Sequence, residues 1–349
     1  MTYKLADILT EYNERNQNNY EPVAVGRYGI RKRSEIYKKE LAANYTTNKV
    51  IFQNTMTIGL GSKQLDIGIL SSDEHYSVSP AYHTFRINTD IISADYLRCW
   101  FEEHNDFLAQ KCLVASARQG KSVNIPALLR ETIEIPDMVT QLATVEIIHQ
   151  ADHAIALTNQ RLAWYDELVK SRFIELFDGK GYPSLKWNDV FSTTTGKLDS
   201  NAMVENGEYP FFTCAKEVFR IDKYAFDQEA LLLAGNNAAG KYDVKYYKGK
   251  FNAYQRTYVL GLKEEWSYQL FRYQLEDKLV YLQQQSLGGL TKYLTLKILG
   301  ELEFIVPPMD KQNEYTAFVE QTDKSKLATT ETLKYLEELK AALMAEYFG

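Results

Sequence analysis

The stretch Gly235-Asn-Asn-Ala-Ala-Gly-Lys-Tyr242 comes close to a phosphate-binding loop of the form G-x-x-x-x-G-K-[ST]. Such a loop follows a strand, and the run Leu231-Leu-Leu before it is typical of a strand. The loop also needs a final Ser or Thr hydroxyl to hold Mg²⁺, and a helix whose amino end faces the phosphates. Tyr242 takes the hydroxyl position, and the residues after it are typical of strand and turn. We therefore interpret the segment as a glycine loop that lets the backbone approach phosphate groups. Nucleotide binding by Gly235–Lys241 stays open as an alternative.

The residue pattern does not favour a metal site or a catalytic site. His149 and His153 are four positions apart on a predicted helix, a spacing that suits metal ligands, but no third ligand accompanies them. The other histidines form no triad with a Ser or Cys, and there is no Asn-Pro-Pro-aromatic signature of a methyltransferase. The Pro307-Pro308 pair instead indicates the start of a helix. We predict no catalytic residue, no metal and no cofactor for this chain.

A gap-free internal repeat organises the sequence. Residues Pro136–Phe177 reappear as Pro307–Phe348 at a constant offset of 171 (307 − 136). Each copy predicts one long helix that follows a strand ended by proline. Two similar halves imply two similar surfaces held at a fixed separation.

Bulk composition is that of a folded protein with two domains. The chain has 349 residues, 45% of them hydrophobic, and no apolar run approaches the roughly 18 residues of a membrane span. The start of the chain lacks the apolar core of a signal peptide, and Cys99, Cys112 and Cys214 are scattered. These features predict a cytoplasmic protein with reduced thiols. The net charge of −6 argues mildly against a general nucleic-acid binder, but basic stretches at 27–39 and 241–250 allow basic faces.

The pattern predicts an α+β fold in which a mixed α/β domain and a long helix occur twice. The predicted segments are 1–135, 136–178, 179–306 and 307–349, and residues 267–285 of the third segment are predicted to form one helix. Some forty residues give a rod of roughly 60 Å, too long for a small domain to cover, so each helix needs a helical partner. We expect the two helices to pack as an antiparallel coiled-coil spacer with pseudo-twofold symmetry. The residues predicted to pack follow a 3-then-4 spacing: Ile148, Ile155, Leu162, Val169, Phe173, Leu176, Val319, Leu333, Leu336 and Leu343.

The residues that carry this repeat resemble a known family. The segment 162–177, Leu-Ala-Trp-Tyr-Asp-Glu-Leu-Val-Lys-Ser-Arg-Phe-Ile-Glu-Leu-Phe, is similar to the spacer helix of specificity (S) subunits of Type I restriction–modification systems. The glycine loop 231–241 and the segments 117–126 and 285–294 resemble parts of their target-recognition domains. The resemblance covers essentially the whole chain. It makes 1–135 and 179–306 the two target-recognition domains, and 136–178 and 307–349 the spacer helices.

The resemblance implies a non-catalytic subunit that reads double-stranded DNA. Each domain would bind one half of a split target, and the spacer would fix the unread gap between the halves. Two methyltransferase subunits and motor–nuclease restriction subunits would be the partners. S-adenosylmethionine, ATP and Mg²⁺ would belong to those partners only. The recognition portion of a fused Type II restriction–modification enzyme is a second possibility.

Polar and basic residues near predicted turns are the candidate DNA contacts. Lys and Arg side chains would bind phosphates, while Arg, Gln and Asn would read base edges. The candidates of the first domain are Arg27, Arg31, Lys63, His83, Arg118 and Lys121. The candidates of the second domain are Lys216, Asn236, Asn237, Lys241, Gln255, Arg256 and Lys292.

Overall fold

A computed structural model describes residues 1–26, 29–36, 45–61, 63–115, 121–237, 240–289 and 291–349. The chain divides into two compact units. Unit 1 comprises 1–159 and 331–349, and unit 2 comprises 160–330. Both boundaries fall inside the long helices, so each unit holds one part of each helix.

The regular elements of the first part of the chain are short, apart from two helices. The strands are β1 (Thr2–Lys4), β2 (Leu9–Tyr12), β3 (Val23–Gly26), β4 (Gly29–Lys32), β5 (Lys49–Ile51), β6 (Thr55–Ile58), β7 (Ile67–Leu70), β8 (Tyr76–Val78), β9 (His83–Ile87), β10 (Leu113–Ala115), β11 (Lys121–Val123) and β12 (Thr132–Glu134). The helices are α1 (Leu5–Ile8), α2 (Arg33–Ile36), α3 (Ala94–Cys112), α4 (Ile125–Leu128) and α5 (Met138–Phe177).

Unit 1 is built on an antiparallel sheet of strand order β2-β9-β6-β7. Strand β1 pairs with β12, which joins the start of the chain to the strand just before α5. The main core lies between this sheet, α3 and both long helices, and Phe85, Leu97 and Ile148 are almost wholly buried in it. A smaller core joins β3, β5 and β8.

The second part of the chain repeats this order of elements. Its strands are β13 (Ser184–Lys186), β14 (Phe191–Thr195), β15 (Tyr209–Phe212), β16 (Phe219–Ile221), β17 (Phe226–Ala234), β18 (Asn236–Asn237), β19 (Val244–Ala253), β20 (Thr257–Leu262), β21 (Lys292–Tyr293) and β22 (Glu303–Ile305). Its helices are α6 (Trp187–Val190), α7 (Tyr268–Asp277), α8 (Leu279–Gln285), α9 (Leu296–Gly300) and α10 (Met309–Phe348), with a short 3₁₀ helix at Ser200–Ala202.

Unit 2 contains a larger sheet of strand order β14-β20-β17-β19-β15-β16. One face packs on α6, α7 and α9 around Trp187, Phe271 and Phe304, which are fully buried. The other face carries a smaller core around Phe251. Strand β13 pairs with β22, the counterpart of β1 with β12. The predicted α+β class is thus confirmed.

The two long helices pack against each other, as predicted. In unit 2 the Tyr165 hydroxyl lies 3.3 Å from Oγ1 of Thr329, and Nη2 of Arg172 lies 2.5 Å from Oε1 of Glu314. Residue numbers fall along α10 as they rise along α5, so the helices run antiparallel there. In unit 1 the start of α5 and the end of α10 share the main core.

The residues predicted to pack along the helices are buried or half-buried. Ile148, Val319 and Leu176 are 1%, 7% and 9% exposed. The half-buried ones are Ile155, Leu162, Val169, Phe173, Leu333, Leu336 and Leu343. The same faces also carry polar side chains that the apolar pattern did not indicate, among them Gln141, Thr158, Gln312 and Thr329, all buried.

One predicted helix differs from the structure. The sequence predicts a single helix over 267–285, but the chain forms α7 and α8, with Lys278 between them. The N–H of Lys278 bonds to the carbonyl of Leu275, three residues back, which tightens the turn there. Within the described residues, none of the helices has both the length and the apolarity needed to cross a bilayer.

Candidate nucleic-acid interface

In unit 2 the glycine loop after β17 joins two other loops. The Gly235 N–H donates to the Arg256 carbonyl at 2.9 Å, and the Gly235 carbonyl accepts from the Leu294 N–H at 2.8 Å. A Cβ atom at Gly235 would lie 2.4 Å from the Arg256 carbonyl oxygen. Only glycine therefore allows the loop to approach the 255–256 turn this closely.

The asparagines of this loop are held by the segment before the last strand of the unit. Strand β18 pairs with β21, which sets Asn236 opposite Tyr293 and Asn237 opposite Lys292. The Oδ1 atom of Asn237 accepts from the Lys241 N–H at 3.3 Å. These contacts bring residues more than fifty positions apart in the sequence to one place.

A third connection brings in the loop after β15. The Cys214 thiol donates to the Arg256 carbonyl at 3.3 Å, and Lys216 follows two residues later with its side chain exposed. All seven candidates of the second domain therefore lie in connected loops. We refer to Lys216, Asn236, Asn237, Lys241, Gln255, Arg256 and Lys292 as the unit 2 loop cluster.

The unit 2 loop cluster combines four cations with three carboxamides. Lys216, Lys241, Gln255 and Arg256 are exposed, and the other three are half-buried. Lysine and arginine are suited to phosphate oxygens, and Asn and Gln can bond to the edges of bases. The residue types match what a nucleic-acid contact requires.

Most of the basic stretch 241–250 is already paired. Lys245 forms an ion pair with Asp243, and Nζ of Lys248 lies 2.9 Å from Oε2 of Glu229. Lys250 lies over the ring of Tyr224 at 4.8 Å. Within the described part of the chain, Lys241 takes part in no salt bridge, which leaves its ammonium available to an anion.

In unit 1 the loop between β6 and β7 corresponds to the glycine loop of unit 2. The Gly59 N–H bonds to the Asp66 carbonyl at 2.7 Å, and the Gly61 N–H bonds to Oδ2 of Asp66 at 3.1 Å. Burial raises the pKa of the Asp66 carboxyl, and the bond from Gly61 opposes this shift. Lys63 lies exposed in this loop.

The other candidates of unit 1 are more dispersed. His83 pairs in register with Ile58, just before the Gly59 loop, and its Nδ1 lies 2.8 Å from Oε1 of Glu11. Arg31 lies on β4 and lines a cavity of about 860 Å³ with Gln64 and Arg98. Arg27 and Arg118 lie outside the described residues. The backbone of Lys121 pairs with Ala115, while its side chain is not described.

Asn105 is a residue that sequence reasoning missed. Its Oδ1 accepts from the Leu65 N–H at 2.9 Å, and its Nδ2 donates to the Leu65 carbonyl at 3.0 Å. This amide fixes the loop that carries Lys63 onto α3. No local pattern indicates such a role, because the two partners are 40 residues apart.

The structure does not favour the nucleotide-binding alternative. The residues after Lys241 lead into strand β19, with no helix whose amino end could face a phosphate. The Tyr242 side chain is 7% exposed and belongs to the core of the unit. The described residues of this segment therefore connect strand β17 to strand β19.

Comparisons with known proteins agree with this architecture. Residues 180–340 match the family model of the Type I restriction modification DNA specificity domain. Over 161 residues the chain is 35% identical to the specificity subunit of the Type I restriction enzyme EcoDI of Escherichia coli, a match that covers 45% of this chain. The match spans about a third of that relative's length, 34%.

Solved structures extend the likeness to the whole chain at the level of the fold. The S subunit of a Type I restriction–modification system from M. genitalium superposes with a TM-score of 0.64 at 13% identity, covering 99% of this chain and 94% of that one. A chain from a study of complex assembly and conformational transition of the type I R-M system gives 0.57 at 14% identity, covering 100% and 97%. Residues 180–340 thus match the model of the Type I restriction modification DNA specificity domain, and the whole chain shares the fold of solved Type I S-subunit structures.

Proposed function

We propose that the chain is a DNA-binding specificity subunit that reads a bipartite target, two half-sites separated by a gap of fixed length. Each unit reads one half-site, and neither unit carries out chemistry on the DNA. The family match of residues 180–340 and the residue types of the unit 2 loop cluster support the proposal.

The unit 2 loop cluster is the main structural support for this proposal. Lys216, Lys241 and Lys292 contact phosphates and set the position of the duplex, while Asn236 and Asn237 reach base edges. In unit 1 the loop that carries Lys63 takes the same role. Lys121 and Lys292 are separated by the same offset as the two long helices, which supports a common use of both units.

The gap between the half-sites is set by the two long helices. Each is one uninterrupted helix of 40 residues, so each is roughly 60 Å long. That length compares with about 34 Å for one turn of DNA. A spacer of this kind keeps the two readers in register with successive grooves.

Partner subunits supply the chemistry. Two methyltransferase subunits, which bring S-adenosylmethionine, bind this chain, and restriction subunits that use ATP and Mg²⁺ join for cleavage in the cytoplasm. A duplicated pair of exposed apolar side chains supports two copies of one partner. Trp164 and Leu168 in unit 2 are 60% and 48% exposed, and their equivalents in the repeat, Tyr335 and Leu339 in unit 1, are 68% and 51% exposed.

The test is to co-express the chain with a Type I methyltransferase subunit and to map the methylated positions on a random DNA library. The proposal expects one target made of two short defined sequences separated by a constant number of undefined bases. A contiguous target, or methylation that does not depend on this chain, would contradict it. Expression of the methyltransferase without this chain gives the control.

A further inference from the structure

Unit 2 contains a cavity of about 390 Å³ between α5, α7 and α10. Five carboxylates and three cations line it. Two of the cations are paired: Nε of Arg272 lies 2.8 Å from Oε1 of Glu276, and Nζ of Lys326 lies 2.5 Å from Oδ1 of Asp166. Within the described residues Asp323 forms no salt bridge. The lining therefore keeps an excess of negative charge.

The hydroxyl of Tyr315 is a second and independent feature of this cavity. The Tyr315 side chain lines the cavity, is fully buried, and has no hydrogen-bond partner for its hydroxyl among the described residues. A buried polar group without a partner destabilises the fold, because it has lost its hydrogen bonds to water. A ligand with N–H donors would satisfy this oxygen.

In unit 1 a lysine side chain lies between the two corresponding carboxylates. There Nζ of Lys340 lies 2.8 Å from Oδ1 of Asp152 and 3.0 Å from Oε1 of Glu102. The ammonium thus bridges a carboxylate of α5 and a carboxylate of α3. The Lys340 side chain is 20% exposed, and those of Glu102 and Asp152 are 48% and 41% exposed.

The repeat identifies the corresponding residues of unit 2. At the constant offset of the repeat, Asp323 is the equivalent of Asp152, and Val169 is the equivalent of Lys340. Glu276 lies nine residues after the capping Ser267, just as Glu102 lies nine residues after Ser93. Unit 2 has therefore kept both carboxylates and has a valine where unit 1 supplies the cation.

The electrostatics of the cavity agree with a missing cation. Burial raises the pKa of the Glu276 carboxyl; Arg272 lowers it, and Asp243 and Asp323 raise it further. Burial, with nearby Asp277 and Glu167, raises the pKa of Tyr273 to about 12. Both shifts disfavour further negative charge, as expected where carboxylates outnumber their partners.

We propose that this cavity receives a lysine or arginine side chain of a partner subunit, in the position that Lys340 occupies in unit 1. Its nitrogen bonds to Asp323, Glu276 and the Tyr315 hydroxyl. The inference rests on the proposed function for the identity of the partner, the methyltransferase subunit. It also makes the two units unequal, because in unit 1 Lys340 already holds the corresponding position.

The test compares Val169→Lys with Val169→Met in the full chain. Lysine supplies the cation from within, as in unit 1, whereas methionine adds similar bulk without charge. We expect Val169→Lys to weaken binding of one methyltransferase copy by about tenfold, because it takes the place of the incoming cation. Val169→Met is expected to bind within about twofold of wild type, and native mass spectrometry resolves the two copies. Equal affinities for the two variants would overturn the inference.

A second measurement uses the wild-type complex and so does not depend on how the Val169 variants fold. Carbodiimide coupling joins a carboxylate to an amine in direct contact, so in the wild-type complex Asp323 or Glu276 should cross-link to a partner lysine. If arginine occupies the site, no such link forms, and the double change E276Q/D323N must then weaken binding by the same factor as Val169→Lys. The inference fails if neither effect is seen. If the wild-type chain binds no methyltransferase at all, both the proposed function and this inference are wrong. If the wild-type chain binds and the variants bind equally well, only this inference is wrong.

Discussion

Oε1 of Gln141, in the first turn of α5, accepts a hydrogen bond from the Ser93 N–H at 2.8 Å. Nε2 of the same amide donates to the carbonyls of Ile91 and Pro136, each at 3.0 Å. Ser93 is also the N-cap of α3, since its hydroxyl accepts from the Tyr96 N–H. One buried amide thus fastens the start of the domain helix to the start of the long helix.

Unit 2 repeats this fastening at the equivalent positions of the second copy. Oε1 of Gln312 accepts from the N–H of Ser267, the N-cap of α7, at 3.0 Å, and Nε2 donates to the Pro307 carbonyl at 2.8 Å. Gln141 and Gln312 are 0% and 1% exposed. The shared geometry shows that each unit fixes its domain to its long helix in the same way.

We predict that Gln141→Ala destabilises unit 1 by about 2–3 kcal/mol, because the substitution leaves a buried N–H and two carbonyls without partners. Urea denaturation followed by far-UV circular dichroism measures the change. Gln150→Ala is the matched control, since this exposed amide bonds to Glu146 on the same helix. If Gln141→Ala lowers the free energy of unfolding no more than Gln150→Ala does, the buried amide does not stabilise the junction between α3 and α5.

Lys340→Met should destabilise unit 1 by about 1–2 kcal/mol at neutral pH, because it leaves Asp152 and Glu102 without their shared cation. Burial acts to lower the pKa of Lys340, but its bonds to Asp152 and Glu102 outweigh this and hold it above 10.5. A lysine pKa raised on folding stabilises fully below about 10.5, and the stabilisation is lost as the pH rises through the folded-state value. The wild-type advantage should therefore persist from pH 7 to about 10 and shrink at higher pH, which urea midpoints measured from pH 7 to above 10.5 would show. If the stability difference between wild type and Lys340→Met did not change above pH 10.5, it would come from packing of the lysine side chain and not from its charge.

Gly235→Ala should disrupt the unit 2 loop cluster, because the new Cβ would lie 2.4 Å from a backbone oxygen. We expect a loss of about 1–3 kcal/mol in stability and a weaker affinity for DNA of the complex with methyltransferase. Gly261→Ala, on β20, is the control, since a Cβ there meets nothing within 4 Å. Thermal melting and a DNA-binding titration on both variants separate the outcomes, and similar behaviour of the two would refute the role given to Gly235.

Lys241→Ala should weaken binding to every DNA sequence alike and lower the slope of log K against log salt by about 1, as loss of one phosphate contact does. Asn236→Ala should instead relax the choice of base at one position, at a cost of about 1–3 kcal/mol on the preferred sequence. Lys263→Ala is the control, because Lys263 lies at the other end of β20 and bonds to the Asn188 carbonyl. Titrations of the complex with DNA at several salt concentrations test all three variants. A changed salt slope for Lys263→Ala would show that the DNA-binding surface includes Lys263, which contradicts the proposed position of the interface.

Insertion of seven residues into both long helices, after Asn159 and after Thr330, should lengthen the unread gap by about three base pairs. Seven residues keep the 3-then-4 spacing and add about 10 Å, at 1.5 Å per residue against 3.4 Å per base pair. Mapping of methylated positions reads the gap directly. The same insertion in one helix only should abolish a defined target, because it shifts one helix against the other. An unchanged gap in the double insertion would refute the spacer role.

Much of the fold could be predicted from local pattern. The prolines before α5 and α10, the 3-then-4 spacing of apolar residues and the constant offset of the repeat all act within one helix or between copies, so they are visible in the chain itself. The break at Lys278 was missed because apolar residues such as Leu275, Leu279 and Leu282 continue at helical spacing across it.

The sequence alone determined that there are two α/β units, two long helices and a family likeness, because periodicity and repetition are local properties of a chain. Only the tertiary structure decided which side chains meet: Gln141 with Ser93, Gly235 between Arg256 and Leu294, and Lys340 with Asp152 and Glu102. These contacts join residues separated by tens to hundreds of positions. Their partners are set by how the elements pack, which no short-range pattern encodes.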